Sequence, residues 1–165
     1  MSPDRPTKRL GELLVERTLI TQAQLEQALT QQRSTKEFLG AILVRLGFIQ
    51  PEGLLTMLSQ QFNMPHEPLP VERVNWTIAK QFPASMFSDG KCFPIRADAD
   101  SVTVAIANPL DAWALSAVEK VAGFRKVKPV LVLERELQDT LRAYRQQSLN
   151  TIEERFNDDA HRQTD

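Results

Sequence analysis

The sequence predicts an α+β fold: a tandem pair of helical hairpins, four helices in all, then a small α/β subdomain with a three-stranded sheet and two or three helices. Two observations carry this. Residues 9–32 (RLGELLVERTLITQAQLEQALTQQ) and 38–61 (FLGAILVRLGFIQPEGLLTMLSQQ) align without a gap at an offset of 29, and self-similarity at such a period marks stacked supersecondary units. Beyond Trp76 the pattern changes to short alternating apolar stretches separated by turn residues, as strands require. The expected boundaries are 8–62 for the repeat, 63–75 for a proline-rich linker, 76–146 for the α+β subdomain and 147–165 for an acidic tail.

Each repeat reads as helix, turn, helix. In the first, Leu10, Leu13, Leu14 and Arg17 share one helical face. Thr21 opens the second helix, with Gln24 completing a capping box and Ile20 and Leu25 forming a hydrophobic staple. In the second repeat Gln50 takes the capping place, Pro51 suits the first helical position, and Ile49 with Leu54 repeats the staple. The polar stretch Arg33–Glu37 connects the two copies.

After the linker, a short helical stretch from Trp76 to about Ser88 leads through Asp89-Gly90 into a strand over Lys91–Ala97, where Pro94 marks an edge or a bulge. Val102, Val104 and Ile106 alternate as a half-buried strand does. Asn108-Pro109 breaks that strand, Asp111 caps a helix over Ala112–Ala122, and Gly123 ends it. Val127–Leu133 is the third strand, and a last helix runs from Glu134 to about Gln146. Residues 147–165 hold five acidic and two basic side chains, so a frayed helix or disorder is expected there.

Three repeated features exceed what a hairpin needs. Gly11 and Gly40 stand near a helix start, where glycine costs ~1 kcal/mol relative to alanine; either a neighbouring helix or a ligand approaches the backbone closely there. The stripe Leu25, Ala28, Leu29, Gln32 is copied as Leu54, Met57, Leu58, Gln61, an apolar face that ends both times in an amide able to donate and accept. Arg9 precedes the first Leu-Gly and offers a planar fork to phosphate or a guanine edge; its counterpart is Phe38.

These residues resemble the cyclic di-GMP-binding N-terminal domain of type II secretion and type IV pilus assembly ATPases, the MshEN type of the GspE N-terminal domain. The resemblance rests on the tandem 24-residue motif with its five-residue spacer. It extends through the Asp89-Gly90 turn, the ANPLD stretch at 107–111 and the closing helix, covering about Lys8 to Tyr144. It implies a cyclic di-GMP sensor in which each motif holds one half of the ligand. The implied contacts are Arg9, Leu10, Gly11, Leu14, Leu25, Leu29 and Gln32 in the first copy, and Leu39, Gly40, Leu43, Leu54, Leu58 and Gln61 in the second. Two positions depart from the motif. Thr18 stands where the second copy has Gly47, and a β-branched residue resists positive φ, so a different first turn or weaker binding is expected. Phe38 replaces a basic residue, removing a guanidinium but leaving a ring able to stack on a base.

The remaining composition narrows the function. Net charge is −1, which argues against a general attraction to nucleic acid polymers or anionic lipid, and Thr21–Gln32 contains no Lys or Arg for reading DNA. The single cysteine, Cys92, forms no internal disulfide; a soluble, cytoplasmic chain without membrane insertion is expected. No GxxxxGK[ST], HExxH, CxxC pair or GxSxG occurs, and His66 and His161 fall in linker and tail. Asn108 and Asp111 fit turn and cap roles. A non-catalytic chain with no metal and no cofactor beyond its ligand is expected. The rival to the sensor is a docking module that links a secretion or pilus ATPase to its inner-membrane assembly.

Overall fold

In the computed structural model, residues 9–87 and 89–162 are described; Lys8, Ser88 and 163–165, which the expected boundaries also took in, lie outside them. The chain divides into two compact units, Met1–Met64 and Pro65–Asp165. The α+β class is as read: helices α1 (Leu10–Glu16), α2 (Gln22–Thr35), α3 (Leu39–Arg45) and α4 (Pro51–Gln61) make the first unit. In the second unit, α5 (Trp76–Ala79) precedes β1 (Cys92–Ala97) and β2 (Ser101–Ile106), followed by α6 (Ala112–Ala122), β3 (Lys126–Leu131) and α7 (Glu134–Arg162).

The hairpins start where their capping residues dictate. Thr21 accepts the Gln24 N–H at 3.2 Å, and its own N–H donates to Gln24 Oε1 at 2.8 Å, satisfying two otherwise orphaned donors. Pro51 occupies the first turn of α4 after Gln50, whose side chain makes no capping bond. The buried Ile20 and Ile49 hold the matching entry positions.

The first turn does not differ from the second, contrary to the expectation drawn from Thr18. Thr18 adopts φ +57 and Gly47 φ +73. The bonds are duplicated too: Thr18 N–H to Val15 O and Leu19 N–H to Leu14 O match Gly47 to Val44 and Phe48 to Leu43, all at 2.9 Å. The hydrogen-bonding frame and the buried Leu14 and Ile20 on either side hold Thr18 in a left-handed conformation that its branched side chain disfavours.

The sheet has the order β1-β2-β3, with β1 antiparallel and β3 parallel to β2. Pro94 lies on the edge strand beside a register shift between Pro94 and Arg96, so edge and bulge both hold. As the middle strand, β2 is buried at Val102, Val104, Ala105 and Ile106, which corrects the half-buried reading: alternation is lost where both faces are covered. The parallel return to β3 is made through α6, and Gly123 ends that helix at φ +67. An edge-to-face cluster fills the core, with Phe93 and Tyr144 at 5.7 Å, Phe87 and Tyr144 at 5.0 Å, and Trp76 against Phe93 at 6.1 Å.

Two segments are more ordered than their composition suggests. Within the expected linker, the Leu131 N–H donates to Pro65 O at 2.8 Å and the Glu67 N–H to Leu131 O at 3.0 Å, so residues 65–67 lie along β3. His66 is exposed there. The last helix passes Gln146 and runs to Arg162, so the tail is helical through that residue rather than frayed at 147; the side chain of His161 lies outside the described residues. Leu137 and Leu141 bury its first turns, whereas Leu149 and Ile152 are exposed.

Cys92 is fully buried on β1. Burial, with lesser contributions from the charges of Asp89 and Asp111, pushes its thiol from 9.0 up to about 12.

Two outcomes follow from these features. Thr18→Gly should stabilise the fold by about 1 kcal/mol, because relief of left-handed strain (~1–2 kcal/mol) exceeds the entropic cost of glycine (~0.5–1 kcal/mol); thermal melting monitored by circular dichroism would rise by roughly 4 °C. Cys92 should resist thiol reagents at pH 8 until the chain is unfolded. Above pH 9.0 the unfolded chain releases a proton that the folded chain keeps until about 12, so stability falls across that window, and Cys92→Ala removes that part of the alkaline slope in denaturant titrations.

Candidate ligand-binding site

The residues singled out in the repeat all lie in the first unit, and burial sorts them. Leu14, Leu43 and Leu58 are at most 1% exposed, and Leu10, Leu25, Leu39 and Leu54 lie between 6% and 8%. These leucines are the core of the two hairpins. Leu29, the repeat partner of Leu58, is 36% exposed. Arg9 is exposed, and Gln32, Phe38 and Gln61 are half-buried. Of the expected contacts, Arg9 and Leu29 are thus exposed and Gln32, Phe38 and Gln61 partly so, although the side-chain oxygen of Gln61 is itself buried.

The glycines resolve in favour of close packing. A Cβ on Gly11 would fall 2.5 Å from Leu25 Cδ1 and 3.3 Å from Leu39 Cδ2; one on Gly40 would fall 2.8 Å from Leu54 Cδ2 and 2.7 Å from Phe38 Cε1. Each glycine thus leaves a recess that the leucine of the next helix fills, Leu25 in the first copy and Leu54 in the second. Gly11 and Gly40 are themselves buried. Because α1 and α3 have seven residues each, little dipole accumulates at their starts. The Arg9 N–H donates to Glu12 Oε2 at 3.3 Å.

The repeated amides fall into two pairs. Gln31 and Gln60 brace one copy against the other: Arg45 Nη2 donates to Gln31 Oε1 at 3.2 Å, and Arg17 Nη1 donates to Gln60 Oε1 at 2.6 Å. Arg45 also pairs with Glu37 at 2.9 Å. The sequence shows the repetition of Gln31 and Gln60 but not their partners, because Arg17 and Arg45 are not repeat equivalents. Gln32 Nε2 donates to Glu37 O at 3.0 Å. That bond, with Lys36 at φ +61, folds the connector back and sets Gln32 beside the opening of the second copy. The connector is a structured reversal rather than a spacer.

A cavity of about 620 Å3 lies elsewhere, in the second unit, lined by Arg73, Arg96, Asp98, Ser101 and Glu67 among others. None of the expected contacts borders it. Its polar groups are largely engaged with one another: Arg96 donates to both Glu67 oxygens at 2.6 and 3.1 Å, and Asp98 accepts from the Asp100 and Ser101 N–H groups and from Ser101 Oγ, which holds its carboxyl below the usual carboxylate range. The repeat face, with its half-buried amides and ring, is the better candidate. Asn108 closes its turn by accepting the Leu110 N–H at 2.9 Å, and Asp111 meets Lys91 at 3.4 Å, so both have structural partners. Among the described residues no cluster of His, Cys, Asp or Glu could hold a metal, and no helix is long and apolar enough to cross a membrane.

The sequence model of the MshEN domain matches residues 62–151, more than half of the chain. The chain belongs to the MshEN domain family. A structure of MshE with cyclic di-GMP superposes with a TM-score of 0.69 at 31% identity, covering 83% of this chain and 99% of that one. That share of the chain is larger than the second unit alone supplies, so the likeness reaches into the repeat. The N-terminal domain of XpsE shares the fold, with a TM-score of 0.65 at 18% identity over 86% of this chain and 97% of that one. The type IV pilus assembly ATPase PilB of Myxococcus xanthus (strain DK1622) is 28% identical over 82% of this chain. Bacteriophage adsorption protein B of Escherichia coli (strain K12) is 28% identical over 84%. The matched region spans 24% and 18% of these two proteins' own lengths. The sequence carries no phosphate-binding loop of the GxxxxGK[ST] type.

Glycine substitutions separate the filled recesses from ordinary helix positions. Gly11→Ala should destabilise by about 1 kcal/mol, since displacing a buried leucine methyl (~1–3 kcal/mol) outweighs the helix gain (~1 kcal/mol). Gly53→Ala, whose Cβ would meet only Ile49 Cγ1 at 3.8 Å, should stabilise by about 0.5–1 kcal/mol. Chemical denaturation of the two variants checks the opposite signs.

Proposed function

We propose that this MshEN domain is a cyclic di-GMP sensor in a bacterial type IV pilus or type II secretion system, acting in the cytoplasm, with its duplicated motif as the ligand site. The observation that carries the reading is the duplicated face itself. Two hairpins of matching backbone carry amides at equivalent positions, Gln32 and Gln61, and the MshE structure with cyclic di-GMP is 31% identical. A ligand built of two like halves suits a motif that is written twice in the chain. Residues 9–61 carry five basic and five acidic side chains, so affinity rests on placed groups rather than bulk charge. In this reading Arg9 meets a phosphate or a guanine edge, the glutamine amides read base edges, and the leucine faces give the bases an apolar floor.

A second reading, docking to a pilus or secretion ATPase, is favoured by one observation in the second unit. Phe124 is fully exposed and Leu110 is 55% exposed, flanking the two ends of α6.

Isothermal titration with cyclic di-GMP, using GTP and cyclic di-AMP as controls, tests the sensor. Guanine-specific binding is expected, and Arg9→Ala and Gln32→Ala should each weaken it by ~1–3 kcal/mol. Binding unchanged in both variants would remove the assigned site. No binding at all, with a pilus or secretion ATPase retained in a pull-down that Phe124→Ser abolishes, would favour docking.

A further inference from the structure

The second half of α7 carries an apolar seam that its own unit does not bury. Up to Tyr144 the helix belongs to the core: Leu137 and Leu141 are buried, and the Tyr144 ring packs edge-to-face on Phe87 and Phe93. The helix then continues to Arg162, about five further turns. Along those turns Gln146 donates to Asn150, and the Ser148 and Thr151 hydroxyls donate to carbonyls one turn back. Such back-bonding does not favour helix, and a helix of this length is marginal in water unless one face is buried.

Leu149 and Ile152 offer that face, at 55% and 50% exposure. In the sequence they sit within the row Arg142, Arg145, Leu149, Ile152, Phe156 and Asp159, whose alternating steps of three and four residues are those of a coiled-coil seam. The row is basic where it starts, apolar in the middle and acidic where it finishes. The surrounding charge follows it: residues 142–149 hold two arginines and no acidic residue, whereas 153–159 hold four acidic residues and one arginine.

That polarity decides what can cover the seam. A second copy aligned in parallel would set arginine against arginine at 142 and 145 and acid against acid at 159. Turned end for end about the midpoint between Asn150 and Thr151, the row becomes self-complementary. Leu149 then faces position 152 of the other copy, Arg145 faces position 156 and Arg142 faces position 159. A two-fold axis at that midpoint gives the closed, isologous contact usual in homodimers.

We infer that α7 is a self-association element, and that two copies of this chain pair antiparallel through residues 142–159 with Leu149 and Ile152 at the centre. The pairing stands whether or not the repeat face binds a nucleotide. Because the seam is short, dimer and monomer exchange with concentration, and helix content falls on dilution.

Sedimentation equilibrium of the full chain, from micromolar to near-millimolar concentration, tests this, and a monomer–dimer equilibrium is expected. Leu149→Glu and Ile152→Glu should each weaken it about ten-fold or more. Near-ultraviolet circular dichroism, which reports the aromatic core, should stay that of the wild type in both. The charged ends fix the direction. Arg142→Glu alone and Asp159→Arg alone should each weaken association about three-fold or more, and the double variant should recover it. A chain that stays monomeric throughout overturns the proposal, and so does a dimer indifferent to both glutamate substitutions, whose interface must lie elsewhere. A double variant that associates no better than the single ones overturns the antiparallel pairing.

Discussion

Each hairpin closes because a leucine on its second helix enters a space that a glycine leaves on its first. Leu25 fills the recess at Gly11 and Leu54 the one at Gly40, and each methyl sits where a Cβ would otherwise stand. The approach fixes how near the helices come, and so the direction in which the following turns carry Leu29 and Gln32, or Leu58 and Gln61. The first recess is completed by Leu39 of the second copy. A single hairpin therefore lacks part of its own wall, in keeping with the general need of short repeats for a stacked neighbour. Gln31 and Gln60 add the polar counterpart by taking arginine donors from the opposite copy.

The signals that specify the helical unit are local, which is why most of it was legible in the sequence. Capping boxes, staples and the period of 29 are short-range patterns, and the structure places helices where they fall. The second unit was legible in the order of its elements and less so in their environment. Val102, Val104 and Ile106 alternate, yet Ala105 between them is equally buried, since a middle strand covered on both faces has no solvent side for alternation to report. Pro65–Glu67 looked like linker because prolines dominate it; its pairing with Leu131 is a long-range contact that composition does not encode.

What the sequence did not show of the candidate site is its exposure. A repeated leucine reads the same whether it lines a core or a groove, and most of the repeat's leucines proved to be core. Leu29 and Leu58 occupy matching positions with 36% and 1% exposure, so the duplication of sequence is not a duplication of surface. Thr18 shows the reverse case. The residue type argued for a different turn, but the two backbone bonds and the buried side chains around it outweigh an intrinsic preference of one or two kcal/mol.

The last helix has a mechanical side. Its 29 residues extend about 43 Å at 1.5 Å per residue, and the buried Leu137 and Leu141 lie in its first turns, whereas Leu149 and Ile152 are about half exposed. Such a rod behaves as a pointer clamped at one end. A tilt of about ten degrees at the level of Tyr144 would swing the turns near Arg162 through ~5 Å, about one helical turn.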